Sequence, residues 1–144
     1  MRTAASVLLL CLTVVTTSSA QAPAVRVFIT DDLTPDPMAA TDDLRPAEWS
    51  LGEFANRGEC QGLTVTNRSW RAHFTIWVQR SVGEADLPIF GGGNPVAVFD
   101  GWGDMLHAGA TRQFGNALKD ACEAIDRRVR SGAELITVGE ADGR

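Results

Sequence analysis

The chain is predicted to form a single α+β (mixed α/β) domain, with a mixed sheet of about five strands carrying two helices mostly on one face. Three observations predict this. Short β-branched apolar runs recur between turn residues through the middle of the chain. Two segments, one between Asp42 and Gly58 and one over residues 116–130, carry a helical period instead. The length, 144 residues, is that of one domain.

Residues 1–20 stand apart from this domain. Arg2 supplies a positive start, residues 7–15 an apolar run, and residues 16–20 the small side chains that signal peptidase needs. Cleavage after Ala20 places Ser18 at −3 and Ala20 at −1, whereas cleavage after Ala22 would set Pro23 beside the scissile bond. The run is shorter than the roughly 20 apolar residues that span a bilayer, and no second such run follows. Cys11 raises the alternative of a lipid anchor, but Leu10 precedes it and apolar residues follow. The expectation is a periplasmic or secreted domain over residues 21–132, no transmembrane segment after signal removal, and a flexible tail over 133–144.

Loss of Arg2 leaves 12 basic against 18 acidic side chains, a net charge of −6. With so few cations scattered along the chain, no phosphate-neutralising stripe forms, which argues against nucleic acid and against an anionic membrane surface. Cys60 and Cys122 remain after processing. In an oxidising compartment an isolated pair reads as one disulfide, with two free thiols or a metal site as the competing readings. The histidines show no ligand spacing with these cysteines, which weakens the metal reading. A disulfide closing a loop of roughly 60 residues stabilises by on the order of 4 kcal/mol.

The elements follow in the order β-α-β-β-β-β-α. Residues 25–30 are β-branched and apolar and end at Asp31-Asp32, a buried first strand. Asp42 or Asp43 caps the first helix, Pro46 fits its first turn and Gly58 ends it. On a helical wheel Leu44, Ala47, Leu51, Phe54 and Ala55 share one face, and Trp49 lies opposite. Residues 63–66 form a second strand, parallel to the first in a βαβ unit. Residues 70–80 alternate strictly, with Ala72, Phe74, Ile76 and Val78 on a buried face and His73, Thr75, Trp77 and Gln79 on a wetter one. Residues 96–99 and 105–108 flank Gly101-Trp102-Gly103-Asp104 as a hairpin. In the second helix Phe114, Leu118, Ala121, Cys122, Ile125 and Val129 form one apolar stripe, and Gly132 is placed to end it. Residues 134–138 are a weak candidate for an edge strand.

Several of these segments resemble a family of small exported bacterial proteins of unknown function. They are residues 25–29, Arg45-Pro46-Ala47-Glu48, residues 60–66, Ala97-Val98-Phe99-Asp100 with Gly103-Asp104, and residues 111–122. The resemblance covers residues 25–126, and Thr-Arg-x-x-Gly-Asn-Ala-x-Lys-Asp-Ala-Cys is its most specific part. It implies a fold similar to the N-terminal domains of the Tol-system periplasmic protein and the curli-secretion lipoprotein, which are envelope interaction domains. Trp102 departs from the polar residue usual in that turn, and the 31–43 loop lacks the usual glycines.

Catalytic and cofactor motifs are missing from the sequence: no nucleophile elbow, His-Glu-x-x-His, Cys-x-x-Cys or phosphate loop. Gly91-Gly92-Gly93 lacks a following Lys and helix, and Gly101-x-Gly103 meets Leu106 where a dinucleotide fingerprint has glycine. No catalytic residue, metal ligand or cofactor is therefore assigned. The enzyme alternative is a small secreted hydrolase using the loop carboxylates Asp31, Asp32, Asp36, Asp42 and Asp43, or His73 and His107. The leading expectation is a protein- or ligand-binding domain whose partner is an envelope protein or a second copy. Arg112, Gly115 and Asn116 sit at a strand-to-helix junction suited to an anion. A structural reading of that junction makes Gly115 a turn residue and Asn116 the cap. Four Trp and no Tyr is an uneven aromatic balance. Trp49, Trp77 and Trp102 lean outward as candidate contact residues, or else cover a second minor core.

Overall fold

The computed structural model describes residues 24–31, 46–79 and 93–143. The leader-like residues 1–20, Leu44, Arg80 and the carboxylates Asp32, Asp36, Asp42 and Asp43 lie outside them. Five strands, β1 (Val25–Thr30), β2 (Leu63–Val65), β3 (Phe74–Val78), β4 (Asn94–Asp100) and β5 (Met105–Thr111), form one sheet in the order β2-β1-β3-β4-β5. The sheet is mixed. β1 runs parallel to β2 and to β3, while β3, β4 and β5 are successively antiparallel. β1 divides its length between two neighbours: Val25 to Val27 pair with β2, and Val27 to Thr30 pair with β3. The parallel pairing of β1 with β2 is the one expected of a βαβ unit.

The first helix is shorter than its apolar period suggests. A 3-10 turn at Glu48–Ser50 leads into α1 (Leu51–Ala55). Pro46 does not open a helix but makes a bridge to Thr30, and the Ala47 N–H donates to the Ile29 carbonyl at 2.8 Å. The end of β1 thus takes the backbone groups that a helical first turn would have used. Ala55, placed on the core face by the wheel, is exposed. The strand expected from residue 70 begins at Phe74, because Ser69–Arg71 forms a 3-10 turn carrying the chain from β2 across to β3.

α2 (Phe114–Arg130) starts two residues earlier than expected and keeps its stripe. Ala117, Leu118, Ala121, Cys122 and Ile125 are buried, with Phe114 and Val129 at the margin. Arg127, Arg128 and Arg130 occupy its last turn, favourable for the helix dipole, and Gly132 follows at φ 71°. The stripe meets Val27, Ile29, Phe74, Ile76, Val78, Val96 and Val98 in one core. Each such side chain taken out of water contributes ~1.5–3 kcal/mol.

The opposite face of the sheet is not the wetter one expected. Alternation turns Phe28 and Thr30 of β1, Thr75 and Trp77 of β3, and Ala97 of β4 away from α2, and all five are buried. Parallel pairs such as β1 with β3 ordinarily require cover on both faces, and the burial pattern obeys that rule.

The C-terminal residues correct a second expectation. In place of a flexible tail or an edge strand, Ile136 and Val138 are buried, and the Val138 N–H donates to the Ala72 carbonyl at 3.0 Å. α3 (Val138–Asp142) opens with a capping box between Thr137 and Glu140 and packs on the Ser69–Arg71 turn. Gly139 lies so close to Trp70 that an added Cβ would stand 3.1 Å from the Trp70 Cβ.

Cys60, at the end of a 3-10 turn (Gly58–Cys60), is joined to Cys122 in the middle of α2 across a Cα separation of 5.2 Å. Both are buried, and the bond ties the approach to β2 onto the helix that covers the sheet. Alkylation under denaturing conditions should leave Cys60 and Cys122 unmodified until reductant is added. Cys60→Ser should lower the melting temperature by roughly 10 °C or more, given a loop term of about 4 kcal/mol. Two alkylated thiols without reductant would contradict the crosslink.

Candidate interaction surface

Trp49 is held where β1 ends. The Thr30–Pro46 bridge and the Ala47–Ile29 hydrogen bond fix residues 46–50 against the last residues of the strand. From there the Trp49 Nε1–H donates to Asp31 Oδ2 at 2.9 Å, and its ring meets that of Phe114 with centroids 4.7 Å apart. The indole is nevertheless 39% exposed. Asp31, Pro46, Glu48 and Trp49 border a groove of ≈ 560 Å³. A second groove of ≈ 500 Å³ shares Pro46 and Glu48 and adds Arg26, Thr64, Thr66 and Arg71. Neither Asp31 nor Phe114 was singled out in the sequence as a partner of Trp49, since the contacts join residues far apart in the chain.

Trp102 is also 39% exposed, at the tip of the β4–β5 turn. Asp100 builds this turn. Its Oδ1 accepts from the Trp102 and Asp104 N–H groups at 3.0 and 3.1 Å, and its Oδ2 accepts from Arg128 Nη2 at 3.0 Å. Gly103 adopts φ 83°, the left-handed conformation a tight turn needs. The carboxylate is buried, so its charge is answered by Arg128 and two backbone donors rather than by water. An Asp opening a Gly-rich turn is the sequence signal for this role. Trp77, by contrast, does not lean outward: it lies in β3 and is only 9% exposed.

The strand-to-helix junction differs from its expected form. Arg112 is exposed, and its carbonyl accepts from Asn94 Nδ2 at 3.1 Å. Gly115 is not at positive φ but inside the first turn of α2. It is there because of a close approach: a Cβ would run into the Arg57 guanidinium and the Glu53 carboxylate. Those two groups pair with each other, Arg57 Nε to Glu53 Oε1 at 3.0 Å, and rest on the bare backbone. Gln113, not Asn116, occupies the N-cap position. The Asn116 N–H donates to the Gln113 carbonyl at 3.0 Å and is therefore not a free donor for an anion.

The two histidines do not converge. β4 separates the strand that follows His73 from the strand that holds His107. His73 Nδ1 accepts from the Arg26 N–H at 2.9 Å, while the His73 N–H donates to the Arg26 carbonyl at 2.9 Å. Burial, reinforced by the nearby Arg26 charge and opposed by Glu140, lowers the His73 pKa below its ordinary 6.5. Among the described residues no three His, Cys, Asp or Glu side chains are placed to hold a metal ion. Among them, too, no helix is long and apolar enough to cross a membrane.

No protein-family model, no curated protein and no solved structure gives a significant match to this chain.

Two outcomes follow from this geometry. The unfolded chain binds a proton at His73 before the folded one does, so stability is full above pH 6.5 and falls as the pH drops toward the lowered value. Urea unfolding at about pH 7.5 and about pH 5 should show this decline, and His73→Asn should flatten part of it. An unchanged slope in the variant would contradict a neutral, accepting His73. For Gly115→Ala, the helix gain of about 1 kcal/mol opposes displacement of the half-exposed Arg57–Glu53 pair, worth only about 0.3–0.5 kcal/mol. The variant should unfold within about 1 kcal/mol of the parent. A much larger loss would show that the Arg57–Glu53 pair cannot move aside.

Proposed function

We propose that the chain is an exported, non-enzymatic domain of the cell envelope or its exterior that binds another protein through exposed tryptophan. One observation carries this reading: Trp49 is pinned by Asp31 and Phe114 yet more than a third open to solvent. A large aromatic ring that is both rigid and exposed is the typical anchor of a protein interface, because little entropy is lost when it is covered. Trp102, on a turn fixed by Asp100, presents a second ring of the same kind.

The compartment is supported from two directions. The leader-like residues 1–20 are one, and a buried disulfide, compatible with an oxidising environment, is the other. The resemblance to small exported bacterial proteins, and through them to envelope interaction domains, agrees with a binding role. Fold analogy alone would not decide it.

Trp49→Ala tests the reading. The ring contact with Phe114 and the half-exposed surface predict a folding cost of only about 1 kcal/mol by denaturant unfolding. Association, followed by sedimentation or by pull-down from envelope extract, should weaken by roughly tenfold or more, as for an interface anchor. A folding loss of ~3 kcal/mol with association unchanged would place Trp49 in the core and remove the basis of the proposal.

A further inference from the structure

Two arginines line one groove, and neither forms an ion pair among the described residues. β1 alternates, so Val27 and Ile29 join the core beneath α2 while Arg26 faces the other way. Thr64 lies opposite Arg26 on β2, and on the other side the Arg26 backbone exchanges two hydrogen bonds with His73. Arg71, exposed at the end of the Ser69–Arg71 turn, comes in beside them. Arg26 and Arg71 border the groove of ≈ 500 Å³ together with Thr64, Asn67, Pro46 and Glu48. That volume falls within the roughly 300–1,000 Å³ of ligand clefts.

Arg26 is the unusual one of the two. It is half-buried, and its Nε–H is shut off from solvent with no hydrogen-bond acceptor among the described residues. A guanidinium that has lost water on one side and gained no acceptor there is under-solvated. An anion held by its other N–H groups therefore stabilises it more than it would a fully hydrated arginine. The charge count selects the kind of anion. Arg26 and Arg71 against Glu48 leave the groove at +1, within a chain of net charge −5. One carboxylate neutralises that charge, whereas a phosphate dianion would overshoot it with Glu48 close by. Guanidinium forks match the two oxygens of a carboxylate, and Thr64 and Asn67 add a hydroxyl and an amide to the same wall. Pro46 and Glu48 also border the groove at Trp49, so a partner that covers the indole extends naturally into this one.

We propose that Arg26 and Arg71 bind a carboxylate, supplied by an acidic residue of the protein that covers Trp49. The proposal rests on the protein-binding reading above and adds the chemistry of the partner: an acidic side chain beside the surface that meets the indole. The ring gives the contact its apolar anchor, and the two guanidiniums fix its orientation.

The probe is blocked aspartate, N-acetylaspartate methylamide, added to isotope-labelled oxidised protein and followed by NMR. It should shift the amide resonances of Arg26, Arg71 and residues 64–67 saturably in the millimolar range, and its uncharged asparagine counterpart should not. Arg26→Gln and Arg71→Gln should each weaken this binding by roughly fivefold or more. Circular dichroism melts check the folding of each variant, and the exposed Arg71 decides the test if Arg26→Gln does not fold. Absent shifts, or shifts unchanged in the variants, overturn the site and leave the Trp49 reading to its own test. Inorganic phosphate binding the same residues more tightly overturns the carboxylate assignment. Arg71→Glu should also weaken capture of the partner from envelope extract by roughly tenfold. If Arg71→Glu leaves capture intact while Trp49→Ala abolishes it, the proposal fails and the protein-binding reading stands. If neither substitution changes capture, both fall.

Discussion

Phe28 and Ile29 are neighbours on β1 and both are wholly buried, which requires a sheet covered on its two faces. The same holds for Thr75 and Ile76 on β3 and for Ala97 and Val98 on β4. Everything else is arranged around this central slab. α2 lays its apolar stripe on Val27, Ile29, Ile76 and Val98, and β2 and β5 are left at the margins. β2 and β5 accordingly contain the least buried strand residues, with Val65 37% and Met105 62% exposed. An edge is then the natural place for a partner, because the interior strands have no unpaired side to offer.

Two ties keep α2 on the slab beyond hydrophobic contact. The disulfide at Cys122 holds the middle of the helix to the segment entering β2. Near its end, Arg128 reaches the buried Asp100 at the close of β4. Asp100 also orders the turn that displays Trp102, so the turn and the helix share one buried charge pair. Removing either partner of such a pair leaves the other charge uncompensated, which is costlier than the pair is stabilising. The exposed Trp102 is thereby mounted on a rigid base, and Trp49 gains similar rigidity from Asp31 and Phe114.

The parts legible in the sequence are those set by local periodicity or by counting. α2 repeats its stripe over seventeen residues, so its face and its glycine stop could be read directly. The disulfide followed from an isolated pair of cysteines beyond the leader-like residues 1–20. What escaped depends on contacts between distant residues. Trp77 alternates with apolar neighbours as a half-wet strand would, and nothing local reveals that the second face is covered. Pro46 has the chemistry of a helix start, but Thr30 draws it into a bridge. Gly115 is marked by the close approach of Glu53 and Arg57, some sixty residues earlier, and not by its own backbone angle. α3 is a different case. Its Thr137-x-x-Glu140 capping box stands in the sequence, but five residues are too few for periodicity to confirm a helix.

Of the candidate surface, Trp49 and Trp102 were legible as outward-leaning aromatics, and the structure adds what holds them. Hydroxyl-radical footprinting of the tryptophans, in the free protein and in protein captured with its envelope partner, addresses this surface most directly. Oxidation of the exposed Trp49 and Trp102 should fall in the captured protein, while Trp77, buried in β3, should be little oxidised in either. Oxidation of Trp49 and Trp102 that is the same in the free and the captured protein would contradict the account.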